Sequence, residues 1–321
     1  MTVVWWAFHA LIAVLDALAL AWIANHRTQV VMPAVAWGVG VLAIAAFAGK
    51  VSHDLFAVFS VMGFGFLMHG PVVLVAAAWL TTDTRRKVLA GLAAPITLFT
   101  LDAYLVEPSW IEVTEVDIVV PDAPRALTIA VLSDVQTDRV TGHERRAIEW
   151  AMAASPDIIL FPGDLVQHAD EEAYAETQIE LREAFRDEGL SAPLGVYAVD
   201  GNVDVQRPWT RVFEGLGVKS VEGDITRFEP EPGVHITAIP FFQGFDPSLS
   251  IPDSSGLHIA FAHGPDFALG HIEADVLVAG HTHGGQVQLP FIGPLITLSS
   301  VPNSWASGTT NLGPHKILVV S

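Results

Sequence analysis

The sequence predicts an α/β protein in two parts. An N-terminal bundle of about four transmembrane helices occupies residues 1–106, and an α/β domain with its site at the strand ends occupies residues 107–321. Three observations lead there. Of the 321 residues, 51% are hydrophobic and only 16% charged, a composition that places part of the chain in lipid. The charge divides at the same point: residues 1–106 carry five Lys/Arg and four Asp/Glu, residues 107–321 eleven and thirty-one. Beyond residue 107, five apolar runs each end in a short stretch containing Asp, Asn or His.

Residues 3–24, 30–48, 55–80 and 88–106 each approach or exceed the ~20 apolar residues that a helix needs to cross the hydrocarbon core. The first lacks a basic n-region and outruns the apolar stretch of a signal peptide, so it is read as retained. His69-Gly70-Pro71 in the third and Pro95 in the fourth predict kinks. Arg27, Arg85, Arg86 and Lys87 fall in the first and third connections, against Lys50 in the second. By the positive-inside rule the N-terminus and the domain after the fourth helix are then extracytoplasmic. Asp16 and Asp102 interrupt apolar stretches without a basic partner in the same helices, which places them at an interface or helix contact. His69 reads as a polar group associated with the kink.

From residue 107 the pattern changes. "EPSW" marks the exit from the membrane, and residues 110–120, "WIEVTEVDIVV", alternate with period two as a strand does. Residues 126–134 form a buried strand, 144–154 a helix, 157–164 a second strand and 171–188 an acidic helix. Residues 195–204, 257–266 and 274–285 repeat the strand-then-polar-loop theme. Such strand ends are where an α/β sheet assembles a site.

So acidic a domain repels a phosphate backbone, which excludes nucleic-acid binding through a basic surface. The absence of cysteine excludes disulfides and thiolate metal sites. A bound divalent ion would still admit an anionic substrate. His281 and His283, with aspartates and an asparagine at the other strand ends, suit Zn, Mn or Fe better than Ca.

The blocks "LSD", "PGD", "DGN", "AHGPD" and "AGHTHGGQ", in that order along residues 132–286, resemble the calcineurin-like metallophosphoesterase superfamily, in particular its membrane-attached bacterial branch. The "EPSW" exit and the segment after it are similar as well. The resemblance implies a metallophosphoesterase-like α/β sandwich and two divalent ions that activate water for attack on phosphorus. It implies Asp164 as the bridging carboxylate, with Asn202, His263 and His281 completing one metal site. Asp134, Gln136 and His283 would share the second ion with Asp164.

Two positions depart from the family pattern. Gln136 stands where Asp-x-His is usual, so the ion at Asp134, Gln136 and His283 is expected to be weak or absent. Val203 stands where Gly-Asn-His is usual, and valine cannot protonate a leaving group, a contribution typically of ~10²- to 10⁴-fold. His168 is the candidate replacement, alongside Asp164 and Asn202 as catalytic residues. His143, Asp138 and Arg139 are weaker candidates, Arg139 for a phosphate contact, and Asp204 is read as a carboxylate orienting a ligand. The expected protein is a multi-pass enzyme of the cytoplasmic (inner) membrane. It would hydrolyse a phosphomonoester, phosphodiester or pyrophosphate bond, on a phosphorylated small-molecule or lipid substrate of the envelope. The alternative is a catalytically weak metal-binding or regulatory module on the same fold. An exposed "FF" in "PFFQGF" (residues 240–245) is a candidate acyl-chain contact.

Overall fold

The computed structural model describes residues 3–52, 55–107, 110–285, 288–289, 293–294 and 297–321. The chain divides into two compact units, residues 1–110 and 111–321.

The first unit is helical: α1 (Val3–Asn25), α2 (Val31–Ser52), α3 (Leu55–Gly63), α4 (Gly70–Leu80) and α5 (Asp83–Leu101). Four helical spans, Trp5–Asn25, Val31–Ser52, Ala57–Leu80 and Asp83–Val106, are long and apolar enough to cross a membrane. Both prolines, Pro71 and Pro95, lie within continuous helical structure. The third span stays helical through its proline by passing through a π-helical turn, Phe64–His69, and α5 runs through Pro95 into a second π turn, Asp102–Val106. Pro71 has no N–H to offer the carbonyl four residues back. That carbonyl, of Leu67, instead accepts the Thr100 hydroxyl of α5 at 2.6 Å, the kind of side-chain substitution that makes proline tolerable in a transmembrane helix.

The second unit is built on two large sheets, beside two short two-stranded pairs among the described residues. The first has the order β1 (Ile129–Val131), β2 (Ile158–Phe161), β3 (Val196–Val199), β4 (Lys219–Val221), all parallel. The second is built from β5 (Thr226–Glu231), β6 (Val234–Ile239), β7 (Leu257–Ala262), β8 (Val276–Ala279), β9 (Gly308–Gly313) and β10 (Lys316–Val320). Its order is β9-β10-β8-β7-β6-β5, with parallel pairing at its centre and antiparallel hairpins at both edges.

Between the sheets lies one core, in which Ile158, Leu160, Tyr197 and Val199 meet Ile236, Ile259, Phe261 and Val278. The alternate residues Ile159, Phe161 and Ala198 point the other way, onto Ile148 of α6 (Gly142–Ala153) and Leu181 and Phe185 of α7 (Glu171–Asp187). Ala260, Leu277 and Leu318 pack with Phe267 on the outer face of the second sheet. Central strands buried on both faces read as unbroken apolar runs, which is why β2, β3, β7 and β8 were visible in the sequence. Helix α6 begins two residues earlier than predicted because Thr141 and Glu144 form a reciprocal capping box.

The expected strand over residues 110–120 is not one. Residues 111–120 run without strand pairing among the described residues. Ile118 and Val120 do reach the inter-sheet core, while Val113, Val116 and Val119 are exposed. Alternation alone does not make a strand, which also requires a neighbouring backbone. Pro108 and Ser109 of "EPSW" and Gln286 of the last block lie outside the described residues.

Candidate metal centre

Parallel strands bring their carboxyl ends to one edge. Asp134, Asp164 and Asn202 each lie three residues beyond the ends of β1, β2 and β3, His263 follows β7 directly, and His281 lies two residues after β8. The backbone there is held in an uncommon conformation. Of the ten non-glycine residues with positive φ among the described residues, Asp134 (53°), Gln136 (39°), Asp164 (59°), His281 (72°) and His283 (47°) make up half. Such conformations cost of order 1–3 kcal/mol each and cluster at functional sites. Glycines allow the loops to close on one another. A Cβ at Gly201 would fall on Asp164 Oδ1 and its backbone nitrogen, and one at Gly280 on the Ser133 hydroxyl.

Asp164 is fully buried at the centre. Its Oδ1 accepts the Val203 N–H at 2.9 Å and lies 3.6 Å from His263 Nε2. Its Oδ2 accepts the Gln136 side-chain amide. Its own N–H donates to Asp204 Oδ2 at 2.6 Å, and the same oxygen accepts the Gly201 N–H at 3.0 Å. Buried Asp204 thus ties the second strand-end loop to the third. Asp134 accepts the His281 N–H at 3.0 Å and the Ser133 hydroxyl at 2.5 Å, and stands 3.5 Å from His283 Nε2.

Tautomers decide what the imidazoles present inward. His263 Nδ1 donates to the Pro162 carbonyl at 2.9 Å, which leaves Nε2 as a lone pair on a neutral ring. His281 Nε2 donates to the Leu298 carbonyl at 3.2 Å, leaving Nδ1 as a lone pair. Both lone pairs point at Asn202 Oδ1, at 3.0 and 3.1 Å, and lie 3.3 Å from each other. Acceptors converge here with no proton between them, and a cation is what such a set lacks. Asp134, Asp164 and His283 form an adjoining group whose ligand atoms lie within 4.8 Å of one another and could hold a metal ion.

Electrostatics point the same way. Burial raises the Asp164 carboxyl above the usual carboxylate range, offset by the Val203 and Gln136 hydrogen bonds. Asp204 is pushed up to about 7 by burial and then by Asp164. Burial pulls His263 down to about 4, so it stays a neutral donor. Buried carboxylates and neutral imidazoles together fit divalent cations, which would supply the charge that no hydrogen-bonded Lys or Arg supplies among the described residues.

The structure separates the other candidates. Gln136 sits beside Asp164 but presents its amide N–H to it, so in this orientation it supports the carboxylate instead of offering a ligand oxygen. The side chain of His168 accepts the Asp170 N–H at 3.4 Å and its carbonyl accepts Arg207 at 2.7 Å, which ties it to the start of α7; no hydrogen bond joins it to the cluster among the described residues. The His143 ring likewise stays outside the cluster, with its Nδ1 buried and unbonded. Asp138 and Arg139 take part through their backbones: their carbonyls accept the Thr177 and Thr137 hydroxyls, and the Arg139 N–H donates to the Thr137 hydroxyl.

Several participants carried no sequence signal. The carbonyls of Pro162 and Leu298 fix the tautomers. Buried Asp266 binds the Ser299 hydroxyl at 2.6 Å and the Ser300 N–H at 2.8 Å, steadying the loop that offers Leu298; its place in "AHGPD" was the available hint. Phe245 packs edge-on against His281 at 4.7 Å, Phe241 lies 6.1 Å from His263, and neighbouring Phe242 is 70% exposed.

Residues 127–285 match the calcineurin-like phosphoesterase family. The chain is similar to the uncharacterized metallophosphoesterase YkuE of Bacillus subtilis, 29% identical over 242 residues, covering 67% of this chain and 82% of the relative. It is also similar to the UDP-2,3-diacylglucosamine pyrophosphatase LpxG of Chlamydia trachomatis, 24% identical over 261 residues, covering 62% and 77%. An uncharacterized metallophosphoesterase of Campylobacter jejuni is 24% identical over 271 residues, covering 78% and 69%.

Proposed function

Because the second unit belongs to the calcineurin-like phosphoesterase superfamily and is a hydrolase of phosphoric esters, we propose that it works with two divalent ions, Mn, Zn or Fe, on a substrate presented at a membrane. Asn202, His263 and His281 would hold one ion and Asp134 and His283 the other, with Asp164 available to both. When bound, the ions supply Lewis-acid stabilisation of the phosphoryl oxygens and acidify the attacking water. The observation that carries this reading is the convergence of the His263, His281 and Asn202 lone pairs.

The protein's own residues set the terms of that chemistry. The Pro162 and Leu298 carbonyls keep both imidazoles in the ligating tautomer. Asp204 and the Val203 N–H hold Asp164 in register. Gln136 is neutral and turned as a donor, so the ion at Asp134 and His283 is the more weakly held. Val203 gives the leaving group no proton, which favours substrates whose leaving group departs readily. A pyrophosphate bond meets that condition, and the Chlamydia relative is named for the pyrophosphate of a diacylated UDP-sugar. Four apolar spans support an anchor in the cytoplasmic membrane, and the basic connections at Arg27 and Arg85–Lys87 support an extracytoplasmic domain. Protease added to intact spheroplasts should then cleave the domain; cleavage only after lysis reverses the orientation.

The second reading, a metal-binding regulatory module with negligible hydrolysis, is favoured by Gln136 and Val203. Assaying the detergent-solubilised full chain on an activated phosphodiester, with Mn or Zn and beside Asp164→Ala, separates the two. Metal-dependent turnover lost in the variant supports the enzyme. Equal background rates with tight metal binding support the module.

A further inference from the structure

The first unit contains a second cluster of ionisable side chains. Asp16 lies near the middle of α1, about 20 Å from its start at ~1.5 Å per residue, and His69 lies midway along the third span. Asp16 Oδ2 accepts His69 Nδ1 at 2.6 Å, and Oδ1 accepts the indole N–H of Trp37 from α2 at 2.7 Å. His69 Nε2 faces His9 Nδ1 of α1 at 3.3 Å, with the two rings stacked at 5.6 Å and 24°. Three spans therefore meet on one Asp–His–His chain.

Helix contacts in lipid can be made with small residues and neutral hydroxyls or amides. Ionisable groups at mid-depth are costly and mark functional positions. Here two of the three, Asp16 and His69, lie at that depth, and His69 is presented by the π turn Phe64–His69, a register frequent at functional sites.

The proton inventory follows from the bonds. An ionised Asp16 only accepts, so Nδ1 of His69 carries the proton and Nε2 is a lone pair. His9 Nδ1 must then donate to it. That leaves His9 Nε2 as a lone pair with no hydrogen bond among the described residues. We propose that this chain is a proton-binding site within the membrane, so that the helical unit responds to protons as well as anchoring the domain. One proton enters at His9 Nε2, and the His9 Nδ1 proton passes to His69 Nε2. His69 then rests as an imidazolium against the Asp16 carboxylate, while His9 is again neutral in its other tautomer. The cluster goes from a charge of −1 to zero.

Other titratable groups nearby are few. Tyr104 packs on Phe64 at 6.0 Å, and Phe64 in turn lies 4.8 Å from His9. Asp102, at the start of the same turn as Tyr104, is exposed. The residue that α2 contributes is Trp37, which does not titrate, and α4 has no charged residue.

This rests on the reading that the four spans lie in a bilayer. Incorporating the full chain, labelled with ¹⁵N-histidine, into lipid nanodiscs tests that first: a chain that stays soluble without lipid or detergent refutes the membrane reading. Imidazole ¹⁵N spectra then test the proton site, with His9→Gln and His69→Gln identifying the two rings and exposed His271 and His315 as references. Between pH 8 and 5 the His69 pair should move to the imidazolium position while His9 exchanges Nδ1–H for Nε2–H. Asp16→Asn should lower that midpoint by about one pH unit or more, a tenfold higher proton concentration. The proposal is overturned if both rings keep one neutral tautomer while the references titrate, or if Asp16→Asn leaves the midpoint unchanged. Should a variant fail to incorporate, the tautomer exchange in the parent decides alone.

Discussion

Replacing Gly201 by alanine isolates the geometry of the metal centre from its chemistry, because it removes no ligand. A Cβ there would lie 2.8 Å from Asp164 Cγ, and closer still to Oδ1 and the backbone nitrogen. Carbon–carbon contacts are optimal at ~3.5–4.0 Å, so Asp164 or the Gly201 loop must retreat by roughly 1 Å. The retreat stretches the Asp164 N–H bond to Asp204 at 2.6 Å and the Val203 bond at 2.9 Å. Misplacement by ~1 Å costs on the order of 10²-fold in turnover. Overpacking itself costs ~1–3 kcal/mol, or roughly 2–12 °C in melting temperature for a domain of this size. Gly142→Ala is the control: its Cβ meets nothing within 4 Å in the first turn of α6, and alanine favours a helix by ~0.5–1 kcal/mol. Steady-state hydrolysis and metal titration of both variants should show about 100-fold lower turnover and weaker metal binding for Gly201→Ala, with Gly142→Ala within about twofold of the parent. If Gly201→Ala also stays within twofold on both counts, Asp164 is not the fixed centre of the site.

Gln136→His adds an imidazole beside Asp164 and should tighten the weaker ion at least tenfold, about 1.4 kcal/mol, in a metal titration; unchanged affinity contradicts the role given to Gln136. Val203→His should speed hydrolysis of substrates with poor leaving groups by ~10²-fold or more and leave an activated aryl ester nearly unchanged; equal gains on both would deny it the acid's role. In the metal-free protein His263, held down to about 4 by burial, stays neutral while an unfolded imidazole binds a proton below about 6.5. Its contribution therefore falls as pH drops through that window. Asp204, raised to about 7 by burial, keeps its proton in the folded state, so its contribution is lost as pH rises and the two oppose each other. Removing one side of that balance with Asp204→Asn should make the melting temperature drop more steeply between pH 6.5 and 4.5 than in the parent, and parallel curves would count against it.

What the sequence made legible was whatever depends on local pattern. The central strands β2, β3, β7 and β8 are apolar on both faces and end in polar loops, so both the strands and the ligand positions could be placed. Helices α6 and α7 were placed to within two residues at each end, although the Thr141 capping box that starts α6 was not read. Contacts set by distant backbone were out of reach. The tautomers of His263 and His281 depend on carbonyls, which leave no mark in residue identity. Residues 111–120 have a strand's alternation without a partner. The hairpins at residues 226–239 and 308–320 were missed because their edge strands are half exposed and contain proline or glycine. Asp16 looked partnerless because a partner was sought in its own helix, while His69 lies 53 residues away on another.

The central claim is that one ion site is complete and its neighbour is weakened at Gln136. Equilibrium Mn titration of the full chain, beside Asn202→Ala and His283→Ala, tests it most directly. The account predicts two binding steps at least tenfold apart, with Asn202→Ala removing the tighter and His283→Ala the weaker. A single step abolished equally by both variants, or no stoichiometric binding at all, would contradict it.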